Sequence, residues 1–181
     1  MNSVDQVIEW RRQLHRRAEV GFDLPRTIEY LHEVLAGLGL RISDDIGGGF
    51  VATLSHGPGP TIGIRADMDG LPIAEATGKT WSSEQPNSMH ACGHDGHMAM
   101  AIGAAAALAA SRDFSGTVHF IFQPAEEPGH GAQSMMKSGL FDLYPMDALF
   151  GLHNLHGIPA GSLHTRPGAI MASEEIGRAH V

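Results

Sequence analysis

Thr117-Val118-His119-Phe120-Ile121-Phe122, running straight into Gln123-Pro124-Ala125-Glu126-Glu127, is the stretch on which the fold turns. The run is too short for a stable helix, and its β-branched and aromatic side chains suit a strand buried on both faces. Strands of that kind belong to sheets covered by helices on both sides. The flanks agree with this. Upstream, Met98 to Ala110 is apolar and mostly alanine, a buried helix well short of the roughly 20 residues that a bilayer needs. Downstream, Gln133 to Lys137 is helical and Ala148 to Leu152 is another short apolar run. Strand, helix and strand alternate, which predicts an α/β fold with at least partly parallel pairing.

Toward the N-terminus, Ser3 can cap a helix on which Val4, Val7, Ile8, Arg11 and Leu14 recur at helical spacing. Arg11, Arg12, Arg16 and Arg17 load its later turns, where the helix dipole favours cations. Pro25 opens a second helix with Ile28, Leu31, Leu35 and Leu38 on one face and Gly39 as its stop. Phe50 to Ser55 and Thr61 to Ala66 read as strands, and the Gly57-Pro58-Gly59-Pro60 link between them predicts a hairpin. No repeat or low-complexity linker interrupts the chain.

Composition narrows the function. The 181 residues are 43% hydrophobic and 18% charged, enough apolar material for a core and too little charge for disorder by self-repulsion. A formal charge of -8 argues against affinity for phosphate backbones, so no nucleic-acid partner is expected. Met1 to Trp10 has no basic start and no apolar core of a signal peptide, which together with the lone Cys92 predicts a cytoplasmic protein without a membrane partner. Twelve histidines stand against two lysines, which raises metal binding or proton transfer at once.

The candidate residues fall where an open α/β sheet binds its ligands, beyond the carboxyl ends of the strands. Asp67 and Asp69 follow one strand, Glu126 and Glu127 a second, and His153 a third. His90, Cys92, His94, Asp95 and His97 lie just before or at the start of the alanine-rich helix. Alone, Cys92 would read as a small buried hydrophobe, but histidines on both sides favour a thiolate ligand. His90, His94 and His97 on one helical face form a rival site, which leaves Cys92 and the carboxylates without a role. His15, His32, His56 and His119 read as surface or hydrogen-bonded residues. Gly78-Lys79-Thr80 lacks the earlier glycine of a phosphate loop, that position being Ile73, and Gly47-Gly48-Gly49 precedes a strand instead of opening a helix. No Gly-x-Ser-x-Gly or His-Glu-x-x-His pattern exists.

Four segments in order resemble the aminoacylase-like metallopeptidase and amidohydrolase family, peptidase family M20. They are Arg65-Ala66-Asp67-Met68-Asp69-Gly70-Leu71-Pro72-Ile73, Met89-His90-Ala91-Cys92-Gly93-His94-Asp95-Gly96-His97, Phe122-Gln123-Pro124-Ala125-Glu126-Glu127 and Gly151-Leu152-His153-Asn154. The resemblance runs from Arg11-Arg12-Gln13-Leu14-His15 to Met171-Ala172-Ser173 and is similar above all to hippurate hydrolases, N-acyl-amino-acid amidohydrolases and auxin-conjugate hydrolases. Ala18 stands where that family often has proline, and Pro128-Gly129-His130 replaces a more glycine-rich run; neither touches an expected ligand.

The resemblance implies part of the catalytic domain of a zinc-peptidase-like three-layer α/β/α sandwich over residues 1–175, without the lid and dimerisation domain and without the C-terminal part. It implies two divalent ions (zinc, manganese, cobalt or nickel) held by a bridging Cys92 with His94, Glu127 and His153, and Glu126 as the catalytic carboxylate. Asp67 is expected to orient a ligand histidine, with Asp95 and His97 in similar parts. Glu126 and Glu127 can serve different tasks only if the backbone bends, which Pro124 and Pro128 favour. The implied substrate is a small N-acyl amino acid, and a full-length parent is expected to be a homo-oligomer through its lid. The tail Ile176-Gly177-Arg178-Ala179-His180-Val181 resembles a translated sequencing adapter, so a truncated, inactive gene fragment with a non-native end at 176–181 is expected. A metal-binding or regulatory module would need the four ligands but has no use for Glu126, and structural zinc would want a closed four-ligand site without a base.

Overall fold

The computed structural model describes residues 3–155 and 157–170; the tail at 176–181 lies outside them. Two helices come first, α1 (Ser3–Arg16) and α2 (Pro25–Gly37). As the proline and Gly39 predict, α2 starts at Pro25 and ends before Gly39, whose φ of +82° reverses the chain. Leu24 precedes α2 without a side-chain cap, and the cap comes from outside: the buried Glu19 carboxylate accepts the N–H groups of Arg26 at 3.2 Å and Thr27 at 2.9 Å, and the Thr27 hydroxyl at 2.9 Å.

The sheet has five strands: β1 (Arg41–Ile42), β2 (Phe50–His56), β3 (Thr61–Asp67), β4 (Gly116–Gln123) and β5 (Ala148–Gly151), in the order β1-β2-β4-β3-β5. β3 pairs in parallel with both β4 and β5, while β2 runs antiparallel to β4. The expected β2–β3 hairpin does not form, because β4 lies between the two strands. Its eight residues are almost wholly buried and take the centre of the sheet. The four-residue link spans two strand spacings, about 10 Å. It crosses the start of β4, where the Pro60 carbonyl accepts the Thr117 N–H at 3.0 Å. Pro58 and Pro60 have no N–H to donate to a tight turn.

The period of two along the strands sorts the core into two layers. Phe50, Ala52, Val118, Phe120 and Phe122 face α1, α2 and α3 (His94–Ser111) with Leu14, Leu31, Leu35, Met98 and Ile102; Phe50 and Phe122 stack with centroids 4.8 Å apart. Val51 and Ile121 face the other way, onto Met135 of α4 (Gly131–Lys137) and Leu140 of α5 (Leu140–Leu143). Three layers result, helices on both sides of a mixed sheet. The β3-to-β4 connection uses α3 on one face, and the β4-to-β5 connection uses α4 and α5 on the other, so the strand order reverses beside β3. Ligands of open α/β sheets bind at such a reversal.

Candidate metal centre

The parallel strands β3, β4 and β5 deliver Asp67, Glu126, Glu127 and His153 to one rim, and the first turn of α3 brings His94 to the same place. His94 is fully buried and its ring is oriented by one contact: Nδ1 donates to the Asp69 carbonyl at 2.6 Å. Nε2 is thereby turned toward Asp67 Oδ2 at 3.6 Å, Glu126 Oε2 at 3.7 Å and Glu127 Oε1 at 3.8 Å. Burial alone would lower the His94 pKa, but the Asp69 and Asp67 carboxylates outweigh it and hold it at about 9.

The bend expected between Pro124 and Pro128 is made at Ala125, whose φ of +46° is unusual for a residue with a side chain. The turn is fixed from below. The wholly buried Asp69 accepts the Glu126 N–H at 2.9 Å and the Glu127 N–H at 3.1 Å, one on each oxygen. Both glutamates therefore lie beside His94, Glu126 the more open of the two at 39% side-chain exposure against 22%. Asp69 thus shapes the site from three contacts, its own carbonyl to His94 and its carboxylate to the two glutamate N–H groups.

Cys92 Sγ lies 3.5 Å from His153 Nε2, and His153 donates Nδ1–H to the Asn154 carbonyl at 2.7 Å. Burial and the neighbouring Glu127, Glu126 and Asp67 charges push the Cys92 thiol up to about 11. A bound cation would reverse that balance, because its charge favours the thiolate over the thiol. Donor atoms of Cys92, His94 and His153, and of His94, Glu126 and Glu127, lie within 4.8 Å of one another. His94 Nε2 and Glu127 Oε1 are buried with no hydrogen-bond partner, a costly state that a shared cation removes. The donor set of sulfur, imidazole and carboxylate fits zinc and its transition-metal neighbours.

His97 and Asp67 also lie within ligating distance of His94, but both are engaged elsewhere. His97 donates Nδ1–H to Asp67 Oδ1 at 2.6 Å and accepts the Asn154 N–H at Nε2 at 3.2 Å. Asp67 gives its other oxygen to Arg65 at 2.8 Å; burial is overcome by His97, Arg65 and His94, and its pKa falls to about 2. The three-histidine face does not assemble. α3 begins only at His94, so His90 is not on the helix, and it is buried with a pKa lowered to about 4 by that burial. Asp95 departs from its expected role as well. Successive helix residues point about 100° apart, so Asp95 turns away from the rim toward α1, meeting His15 Nδ1 at 2.9 Å and Arg11 Nε at 3.1 Å. Of the four histidines read as structural, His32 packs on Phe50, His56 bonds the Phe114 carbonyl and His119 bonds Thr53, while His15 is a buried ion-pair partner of Asp95 and Glu75.

A donor cluster at the carboxyl rim of a three-layer α/β/α sheet defines a metal-site protein of the zinc-peptidase-like class. The family model described as peptidase family M20/M25/M40 matches residues 63–179, and the chain belongs to that family. It is 41% identical over 170 residues to a hippurate hydrolase of Campylobacter jejuni, covering 91% of this chain and 43% of that protein. It is likewise 41% identical over 173 residues to an N-acetyldiaminopimelate deacetylase of Exiguobacterium sibiricum, covering 94% and 46%. Among solved structures, the Bacillus subtilis YXEP protein, described as a dinuclear metal binding peptidase of the M20 family, superposes with a TM-score of 0.81 at 38% identity, covering 87% of this chain and 44% of that one. The fold is that of the M20 catalytic domain, and the chain spans less than half the length of these relatives.

Proposed function

We propose that this chain carries the metal ligands and the general base of an amidohydrolase that cleaves N-acyl amino acids into a carboxylic acid and an amino acid. Cys92, His94, Glu127 and His153 would hold two divalent ions, with Cys92 as the thiolate donor. The dinuclear description of the Bacillus relative and the hippurate hydrolase and deacetylase names of the others support this. When bound, such ions polarise the amide carbonyl and acidify the attacking water. Glu126 is the base: its carboxylate takes a proton from that water and delivers it to the leaving nitrogen. The Asp69 contact to the Glu126 N–H keeps that carboxylate at the rim, and the Glu127 N–H contact holds its neighbour to the ligand side.

Glu126 itself carries this reading: it is a second, more exposed carboxylate beside a donor set that already offers sulfur, imidazole and the Glu127 carboxylate, and a module binding metal for structure has no use for it. The test is Glu126→Gln in a full-length protein carrying this segment. Metal content should stay normal while hydrolysis of N-acyl amino acids falls about a hundredfold or more. Near-normal turnover would remove Glu126 from the mechanism, and lost metal would make it a ligand.

A further inference from the structure

Asn154 follows His153 just beyond β5 and takes no part in the chemistry proposed above, yet its N–H, its carbonyl and its carboxamide meet His97, His153, Cys92 and Gly93. Its backbone N–H donates to His97 Nε2 at 3.2 Å, and its carbonyl accepts the His153 Nδ1–H at 2.7 Å. Its side-chain Nδ2 donates to the Cys92 carbonyl at 3.1 Å. Its carboxamide also packs over Gly93, where a Cβ would stand 2.8 Å from both Cγ and Nδ2 of Asn154.

The Asn154 side chain meets the Cys92 carbonyl just outside the helix. The α3 ladder starts one residue later, with the Gly93 carbonyl accepting Gly96 N–H at 2.9 Å and His97 N–H at 3.2 Å. The peptide carrying Cys92 is therefore outside the helix, and Gly93, at φ +95°, is a free joint beside it. Rotation at that joint would swing the thiol. On the other side, the His153 proton given to the Asn154 carbonyl leaves Nε2 as the lone pair, facing Cys92 Sγ at 3.5 Å.

We infer that Asn154 is a positioning residue that locks the Cys92 thiol and the His153 imidazole to each other, using a side-chain clamp on the Cys92 carbonyl and on Gly93. This rests on the reading of Cys92 and His153 as ligands. Loss of such an outer contact costs about 10- to 100-fold in metal affinity.

The experiment uses the 181-residue chain, zinc as the probe, and two readouts: zinc affinity by chelator competition, and the rate at which a thiol reagent labels Cys92, the single cysteine. Asn154→Ala should weaken zinc by at least about tenfold and speed Cys92 labelling in the metal-free chain. Asn154→Asp keeps the volume and adds a negative charge that would attract zinc, so weaker zinc binding there too isolates the lost clamp. Gly93→Ala should weaken zinc strongly in the native background and less in the Asn154→Ala background, because the atoms it strikes are gone. Unchanged affinity and labelling in both Asn154 variants, or an equal Gly93→Ala cost in both backgrounds, would overturn the clamp. Cys92→Ala separates the two failures: retained zinc affinity there overturns the ligand reading and the clamp together, whereas zinc lost there but kept in the Asn154 variants overturns the clamp alone.

Discussion

At the scale of single residues, two of the candidate ligands hold a proton that a metal would have to displace. His94 titrates at about 9 and Cys92 at about 11, so at neutral pH both carry a proton that must leave for Nε2 and Sγ to ligate. Raising the pH lowers that cost. Zinc affinity should climb steeply from pH 6.5 to 8.5, with about two protons released per site filled, and the His94 share should level off above about 9. Chelator competition in buffers of different ionisation enthalpy measures both quantities, and a pH-independent affinity would mean that neither group ligates. The candidate ligands were legible because sulfur, imidazole and paired carboxylates stood at strand ends or beside the entry to a helix. The tasks of Asp69 and Asn154 were not, since both work on backbone carbonyl and N–H groups, which leave no mark on residue type. His15 is hydrogen-bonded, as its sequence reading allows, but its partners, Asp95 and Glu75, lie 80 and 60 residues away and could not be named from it.

At the scale of elements, α2 depends on a carboxylate that is not its neighbour. Glu19→Ala would leave the N–H groups of Arg26 and Thr27 and the buried Thr27 hydroxyl without their acceptor. A cost of about 2 kcal/mol is expected, as for the loss of a strong helix cap. Urea unfolding measures it, and a change below about 0.5 kcal/mol would mean that water replaces the cap. The sequence carried α1 to α3 and the longer strands well, because Pro25, Gly39 and the apolar periods act locally. It misled on the hairpin. A Gly-Pro-Gly-Pro link between two strand-like runs names a turn but not a partner, and the partner was decided by β4, some 50 residues further on, whose burial on both faces claims the sheet centre. The short β1 and α5 offer too few residues for any period to show.

At the scale of the whole molecule, one flank of the site is open among the described residues. β5 is an edge strand with Leu149 and Phe150 about half exposed, and Leu152 and Leu155 continue the apolar surface beside His153. Residues 1–181 alone are therefore expected to take up metal yet give little hydrolysis, since the described residues on that flank are exposed apolar side chains that neither hold a substrate in place nor exclude water. Assay of the zinc-, manganese- or cobalt-loaded chain on N-acyl amino acids checks this, and turnover within about tenfold of a full-length relative would show that positioning comes from these residues after all. The rim of β3, β4 and β5 is proposed to be a mixed sulfur, nitrogen and oxygen metal centre. X-ray absorption on the zinc-loaded chain tests it most directly. The expected result is a sulfur neighbour at about 2.3 Å together with nitrogen and oxygen neighbours at about 2.0 to 2.2 Å; a shell of nitrogen and oxygen alone would contradict it.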